Sequence, residues 1–307
     1  MKSSCYSLFV ILAGVLWGII SVFLKGLYSM GFTALQVMFF RGFISSIFMG
    51  IFLLIKDKSL LKFELKDIWM FLGTGVISLT FFSLCYFYTI LESGASVAVI
   101  LLYTSPIFVL IMSVLLFKEQ ITFPKIVALI LTFVGCVLVS GIGGHSGLNA
   151  KGFFIGLCAG FGYALYSIFS RFALKKYNSL TVTFYTFLFS AISIIPFCSI
   201  SKVPALINSK SILLSCGIAL LCTALPYIFY TMGLQGLETG KAAILVTVEP
   251  LVATLIGFLL WKEQVSFFKV IGILLILTSV LLLSLGKRDS KECLEWQGVI
   301  LATSFQA

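Results

Sequence analysis

Long apolar stretches, separated by short polar connections, recur along this chain from residue 6 to residue 286. Most are about 20 residues long, the length of helix that crosses a hydrocarbon core of about 30 Å. The first is too long and too apolar for a cleaved signal peptide, so we expect it to remain a span. The fold class predicted is an all-α membrane protein with ten transmembrane helices, at residues 6–24, 34–55, 68–90, 95–117, 121–142, 152–170, 179–200, 211–235, 241–261 and 265–286.

The second half of the chain repeats the first. A fixed offset aligns Pro106 with Pro250 and Lys118-Glu119-Gln120 with Lys262-Glu263-Gln264. Apolar matches between membrane helices are common by chance, so the proline and the triplet carry the argument. Because each repeat holds five spans, an odd number, the second repeat is expected to be inverted relative to the first. The predicted organisation is a first repeat at residues 6–141, a second at 150–286 and a cytoplasmic tail at 287–307.

Composition and charge support a membrane protein and indicate its orientation. The chain is 60% hydrophobic and 10% charged, whereas soluble domains carry about 25% charged residues. With the N-terminus inside, 14 of the 21 basic residues fall on the cytoplasmic side, as the positive-inside rule requires. Both termini are then cytoplasmic. The net charge of +10 is spread over connections and tail, so no nucleic-acid partner is predicted.

Two charged residues lie within predicted spans. Arg41 is seven residues into the second helix, where it is costly unless it snorkels or finds a partner. It is either a fixed charge for a substrate carboxylate or a structural ion pair or anchor. Glu249 lies in the ninth helix. Because burial favours the neutral form of a carboxyl, protons are a candidate coupling ion there. The alternative is a hydrogen bond within a rigid core.

Proline and aromatic residues within the spans indicate a cavity. Pro106 and Pro250 interrupt equivalent helices, and a broken helix is tolerated in lipid where it is buried in protein or lines a cavity. Helix kinks made only for packing are the alternative. Several aromatic residues lie within spans, away from the interfacial belt where such residues are usually enriched, and some of these are candidates to line a substrate pathway: Trp17, Tyr88, Tyr103, Tyr163, Tyr166, Tyr227 and Tyr230.

Motifs for catalysis, metals and cofactors are missing from the sequence. The eight cysteines form no C-x-x-C pair, and the glycine loop of nucleotide-binding proteins does not occur. We therefore predict no enzyme activity, no cofactor and no metal site. A passive channel, which usually lines its pore with rings of charge or carbonyls, stays as a less favoured reading.

The order of short motifs across both halves resembles the EamA family of ten-helix carriers, within the bacterial drug/metabolite transporter (DMT) superfamily. The likeness extends to about Gly286, and the tail departs from it. The motifs are Leu16-Trp17-Gly18, Phe40-Arg41-Gly42, Tyr103-Thr104-Ser105-Pro106, Gly162-Tyr163-Ala164 and Glu249-Pro250, with the two Lys-Glu-Gln triplets.

This resemblance implies two inverted repeats around a central cavity that move small metabolites by alternating access. Amino acids or related metabolites are the expected cargo, with export from the bacterial cytoplasmic membrane as the expected direction. Sugars, nucleotide sugars or drugs are the alternatives. The residues themselves leave substrate, direction and oligomeric state open. The site that the resemblance implies contains Trp17, Tyr88, Tyr103, Tyr163, Tyr230 and Glu249, with Arg41 as a further member.

Overall fold

Ten apolar helical spans make up the computed structural model, which describes residues 3–140, 150–198, 204–262 and 266–285. This confirms the predicted fold class, and within those ranges there is no strand. The predicted tail at 287–307 lies outside the described residues. The spans are α1 Cys5–Tyr28, α2 Ala34–Lys56, α3 Leu65–Ser93, α4 Val97–Phe117, α5 Phe123–Ser140, α6 Ala150–Ala173, α7 Ser179–Phe197, α8 Ser209–Gly236, α9 Thr239–Leu260 and α10 Phe267–Ser284.

Five of the spans depart from a regular α-helix along their length. Span α1 consists of helices Ser3–Gly18 and Ile20–Tyr28, and α4 of Ala95–Leu102 and Ser105–Phe117. The interruptions in the other three are a wide π turn at Gly73–Thr80 in α3, a second at Leu220–Ala224 in α8, and a narrow 3₁₀ turn at Val246–Val248 in α9, after which a helix runs Glu249–Trp261.

The two repeats share backbone details as well as sequence. The second helices of α4 and α9 begin at equivalent residues, Ser105 and Glu249, each directly before a proline. Both end at a lysine in the left-handed conformation, Lys118 with φ 56° and Lys262 with φ 53°. A non-glycine residue seldom adopts a positive φ, so its recurrence at equivalent positions supports two inverted five-helix repeats.

Helices of one repeat pack on interrupted helices of the other. A Cβ on Gly14 in α1 would lie 2.6 Å from the carbonyl oxygen of Val246, at the narrow turn of α9. At the equivalent place in the other half, a Cβ on Gly160 in α6 would lie 2.7 Å from the carbonyl oxygen of Leu101 in α4. Glycine permits this close approach because it has no side chain. The interrupted helices are thereby held at the centre of the bundle.

Spans α5 and α10 pack against each other at one side of the bundle. Gly135 and Gly272 face one another so closely that a Cβ on either would meet the other's carbonyl oxygen, at 2.8 and 2.6 Å. The hydroxyls of Thr132 and Ser279 form a buried hydrogen bond of 2.6 Å beside them. In a bilayer the hydrophobic effect does not drive helices together, because lipid tails are as apolar as the side chains. Small residues and polar contacts of this kind therefore hold membrane helices together.

Candidate substrate site

A cavity of 650 Å³ lies between the two repeats. Its deepest charged residue is Glu249, and it extends past the middle of α2 to the connection between α1 and α2. Tyr28, Thr33 and Ala95, which lie at that end of the bundle, line the cavity and are exposed. The cavity therefore opens on the face that carries the α1–α2 and α3–α4 connections, which we call the open face.

Arg41 reaches this cavity from α2 and is held by α8. Its Nε donates to the Thr223 hydroxyl at 2.9 Å, and its Nη2 donates to the Cys222 carbonyl at 3.4 Å. Its Nη1 points to the sulfur of Met38 at 3.6 Å. These contacts satisfy part of the guanidinium while its remaining donors stay available to the cavity, because arginine carries five N–H groups.

Glu249 lies across the cavity from Arg41, at the first residue of the second helix of α9. Its side chain is partly exposed, and among the described residues no side chain forms an ion pair or hydrogen bond with it. Two opposite charges therefore face the same space without closing on each other.

Aromatic rings form much of the remaining wall. Trp17 and Tyr163 line the cavity, and the ring of Trp17 meets that of Tyr227 edge to face at 5.0 Å. Tyr230 lines a small adjoining pocket to which Trp17 and Tyr163 also belong. Its hydroxyl forms a hydrogen bond with that of Ser167 at 2.8 Å. Of the seven residues in the site that the resemblance implied, Trp17, Arg41, Tyr163 and Glu249 line the main cavity.

Tyr88 and Tyr103 lie elsewhere. The Tyr88 ring faces Lys151 of α6, whose Nζ is 5.0 Å from the ring centre. Tyr103 occupies the interruption of α4 and is buried in the central apolar cluster. The neighbouring residue Leu102 lines the cavity instead. Pro106 and Pro250 each lie in the first turn after an interruption, where the missing N–H of proline costs no helical hydrogen bond.

The cavity also has polar residues that the sequence did not nominate. They have hydroxyl groups and come from α1, α3, α7 and α8. Tyr86 is two residues from the nominated Tyr88, and on a helix residues at that spacing point to different sides. The sequence does not show which side of a span faces the cavity, because lipid-facing and protein-facing residues are both apolar. Within the spans these residues are Tyr28, Ser83, Tyr86, Ser190 and Thr223, and Thr33 of the α1–α2 connection adds a further hydroxyl.

The opposite face is closed by residues of both repeats. Glu119, from the α4–α5 connection, accepts hydrogen bonds from the backbone N–H groups of Thr239 at 2.6 Å and Gly240 at 3.1 Å, at the start of α9. Beside it the buried Lys125 forms an ion pair with Glu238. We call these five residues the closing cluster. Together with the buried helix Thr239–Leu245 it separates the cavity from this face.

A second polar network lies on the same closed face, between the α2–α3 and α6–α7 connections. The Lys176 ammonium pairs with Glu64 at 2.5 Å and Asp67 at 2.6 Å. The hydrogen bond from Lys176, and to a lesser extent the one from Lys66, holds the pKa of Glu64 below its usual range. The same two carboxylates, Asp67 foremost, raise the pKa of Lys176. This network also joins the two repeats, since Lys176 belongs to the second.

Similarity to known proteins decides the family. The profile of the EamA-like transporter family matches residues 5–141 and 150–285, which is nearly the whole described chain. The chain belongs to the EamA-like transporter family. The family confirms the resemblance drawn from the motifs. Membership of this family also shows that the EamA-like chain is a membrane transporter that crosses the membrane several times.

Relatives agree with this placement. A protein of Archaeoglobus fulgidus described as an uncharacterized transporter is 29% identical over 89% of this chain and 94% of its own. The transporter YwfM of Bacillus subtilis, also described as uncharacterized, is 25% identical over 95% of this chain and 97% of its own. A crystal structure at 14% identity superposes over the full length of both chains with a TM-score of 0.78, which shows the shared fold.

Proposed function

We propose that this EamA-like protein is a secondary carrier that exports amino acids with apolar side chains, or closely related metabolites, by alternating access. The observation that carries the proposal is one cavity lined by a positive and a negative group, Arg41 and Glu249, neither of which forms an ion pair within the described part of the chain, together with a wall of apolar and aromatic residues. The substrate leaves chemically unchanged, so no catalysis is assigned.

The chemistry of the two charges favours a zwitterion. A guanidinium binds a carboxylate through paired hydrogen bonds, which suits Arg41 to the carboxylate of an amino acid. Glu249 then faces the ammonium group. Trp17, Tyr163 and Tyr227 supply apolar surface for the side chain. Sugars and nucleotide sugars have little apolar surface to offer this wall, so they are less favoured.

Alternating access is supported by the contrast between the two faces. The cavity reaches exposed residues on the open face, and the closing cluster joins the repeats on the other. A channel would need a path through both faces. By the distribution of Lys and Arg we place the closed face and both termini in the cytoplasm of a bacterium, so this arrangement is the outward-facing state of an exporter.

Proton coupling follows from the position of Glu249. The proton and the ammonium group of a substrate compete for the single negative charge of this carboxylate. The Glu249 carboxyl therefore holds one or the other, and not both. Proton entry from outside then drives release of substrate outward. Arg41 lines the same cavity as Glu249 and is available for the carboxylate of the same substrate.

Flux from proteoliposomes tests the proposal. Vesicles with the purified protein are loaded with a mixture of amino acids, sugars and polyamines, and released compounds are identified by mass spectrometry. We expect saturable release of apolar amino acids, faster with an inward-directed proton gradient. Arg41→Ala in a folded protein serves as the matched inactive control. Saturable release of sugars would overturn the substrate class, and unselective release that does not saturate would overturn the carrier.

A further inference from the structure

The wide turn of α8 beside Arg41 is closed by a threonine. At Leu220–Ala224 the helix has π geometry, in which the backbone hydrogen-bond register slips by one residue. The Thr223 hydroxyl donates to the Ile218 carbonyl, five residues back, at 2.9 Å. That hydroxyl has therefore committed its proton, and its lone pairs point outward as an acceptor. Arg41 Nε donates to it at 2.9 Å.

The second acceptor for Arg41 is the Cys222 carbonyl, which lies four residues before a proline. In a regular helix the N–H of residue 226 would donate to the carbonyl of residue 222. Residue 226 is proline, which has no N–H. The Cys222 carbonyl accepts from Arg41 Nη2 at 3.4 Å. Thr223 and the Cys222 carbonyl together form a receptor for one edge of the guanidinium, which we call the α8 receptor.

The α8 receptor fixes which donors of Arg41 remain. It occupies Nε and one N–H of Nη2, and Met38 lies against Nη1. One N–H then remains on each terminal nitrogen. These two lie on the end of the planar group, which is the geometry that grips both oxygens of a carboxylate.

We propose that Thr223 is a positioning residue for substrate recognition, which holds Arg41 so that its two terminal nitrogens bind a substrate carboxylate end-on. The inference rests on the proposed function and extends it, since it assigns the selection of carboxylates over neutral analogues to a residue that acts through Arg41.

The other repeat offers a matched control. Thr80 closes the wide turn of α3 in the same way, donating toward the Gly75 carbonyl five residues back at 3.1 Å. Its hydroxyl then meets Ser193 at 2.7 Å and Ser190 at 3.3 Å, and not an arginine. Thr80→Val and Thr223→Val therefore remove the same local hydrogen bond, but only the second removes a partner of Arg41.

Binding of two ligands to the protein in nanodiscs tests the inference. The probes are L-phenylalanine and L-phenylalaninamide, which share the ammonium and the ring but differ in the carboxylate. We expect Thr223→Val to weaken binding of phenylalanine by about tenfold, in keeping with one lost hydrogen bond to a charged group, and to leave the amide unchanged. Thr223→Ser, which keeps the hydroxyl, and Thr80→Val are expected to bind both as the wild type does.

A second variant covers the case in which Thr223→Val does not fold. Pro226→Ala returns an N–H to the helix, which competes with Arg41 for the Cys222 carbonyl, and we expect the same selective loss of phenylalanine binding. Equal weakening for both ligands in these variants, or the same loss in Thr80→Val, would overturn the inference. If the wild type binds neither ligand, the proposed function itself is overturned. If Arg41→Lys leaves phenylalanine binding intact, Arg41 is a structural anchor and the inference is overturned.

Discussion

Replacement of Glu119 by glutamine is expected to loosen the closed face of this transporter. Glu119 accepts hydrogen bonds from Thr239 and Gly240, so one carboxylate of the first repeat caps the first turn of α9 in the second. Glutamine is the same size but carries no charge. Its side-chain oxygen still accepts one of the two hydrogen bonds. Its NH₂ group faces the second backbone N–H, and two donors form no hydrogen bond. If the repeats separate at this face when the cavity opens inward, the cap must break.

The magnitude follows from the contacts. A hydrogen bond to a charged group contributes about 1.5–3 kcal/mol, and a neutral one about 0.5–1.5 kcal/mol. Because Glu119 is partly exposed, values near the lower ends apply. Loss of one charged bond and replacement of the other by a neutral one then removes about 2.5 kcal/mol, which changes the equilibrium between closed and open forms by about 70-fold.

Hydrogen–deuterium exchange of the protein in nanodiscs measures this change. Amide exchange reports the free energy of local opening, so peptides covering Thr239–Leu245 should exchange about 70-fold faster in Glu119→Gln. If the molecule moves toward an inward-facing state, peptides at the open face, around Thr33 and Ala95, should become more protected. Faster exchange at α9 alone would indicate local fraying and would contradict alternation between the two faces.

A matched control is Asp57→Asn. Asp57 also caps a helical turn on the closed face, accepting from the Ser59 N–H at 2.8 Å, but both residues belong to the first repeat. We expect no change in exchange at Thr239–Leu245 in this variant. Unchanged exchange there in Glu119→Gln as well would refute the role given to the closing cluster.

Three further outcomes follow from the site. Glu249→Gln is expected to abolish proton-driven net transport and to leave any remaining substrate exchange independent of pH; pH dependence equal to that of the wild type would exclude Glu249 as the coupling group. Arg41→Lys is expected to raise the KM for amino acids at least tenfold, because lysine cannot form the paired contact; an unchanged KM would make Arg41 a structural anchor. Gly14→Ala places a Cβ 2.6 Å from the Val246 carbonyl oxygen, so thermal unfolding should show a loss of about 1–3 kcal/mol, whereas Gly50→Ala, which would meet only the Phe184 ring, should cost less.

The fold followed from the sequence because lipid imposes a simple length rule. A span must be apolar for about 20 residues, and the predicted and observed spans differ mainly at their ends. In α1, for example, the helix continues to Tyr28, past the predicted end at residue 24. The Pro106 and Pro250 positions marked the interruptions of α4 and α9 for a similar reason, since proline lacks the N–H that a continuing helix needs.

The site could be read only in part. Arg41 and Glu249 were identified because a charge within a span needs an explanation, whatever its neighbours. Hydroxyl and aromatic residues carry no such signal. Tyr86 lines the cavity and Tyr88 meets Lys151, although the two are neighbours in one apolar helix.

By itself, therefore, the sequence determined the ten spans, the two repeats and the two charges of the cavity, since each depends on composition along a single helix. The tertiary structure alone decided which helix faces meet. It brought Thr223 to Arg41 and Glu119 to the start of α9, pairs that lie far apart in the chain and in different repeats. In a membrane both the lipid-facing and the protein-facing sides of a helix are apolar, so only the packing of the helices against each other distinguishes them.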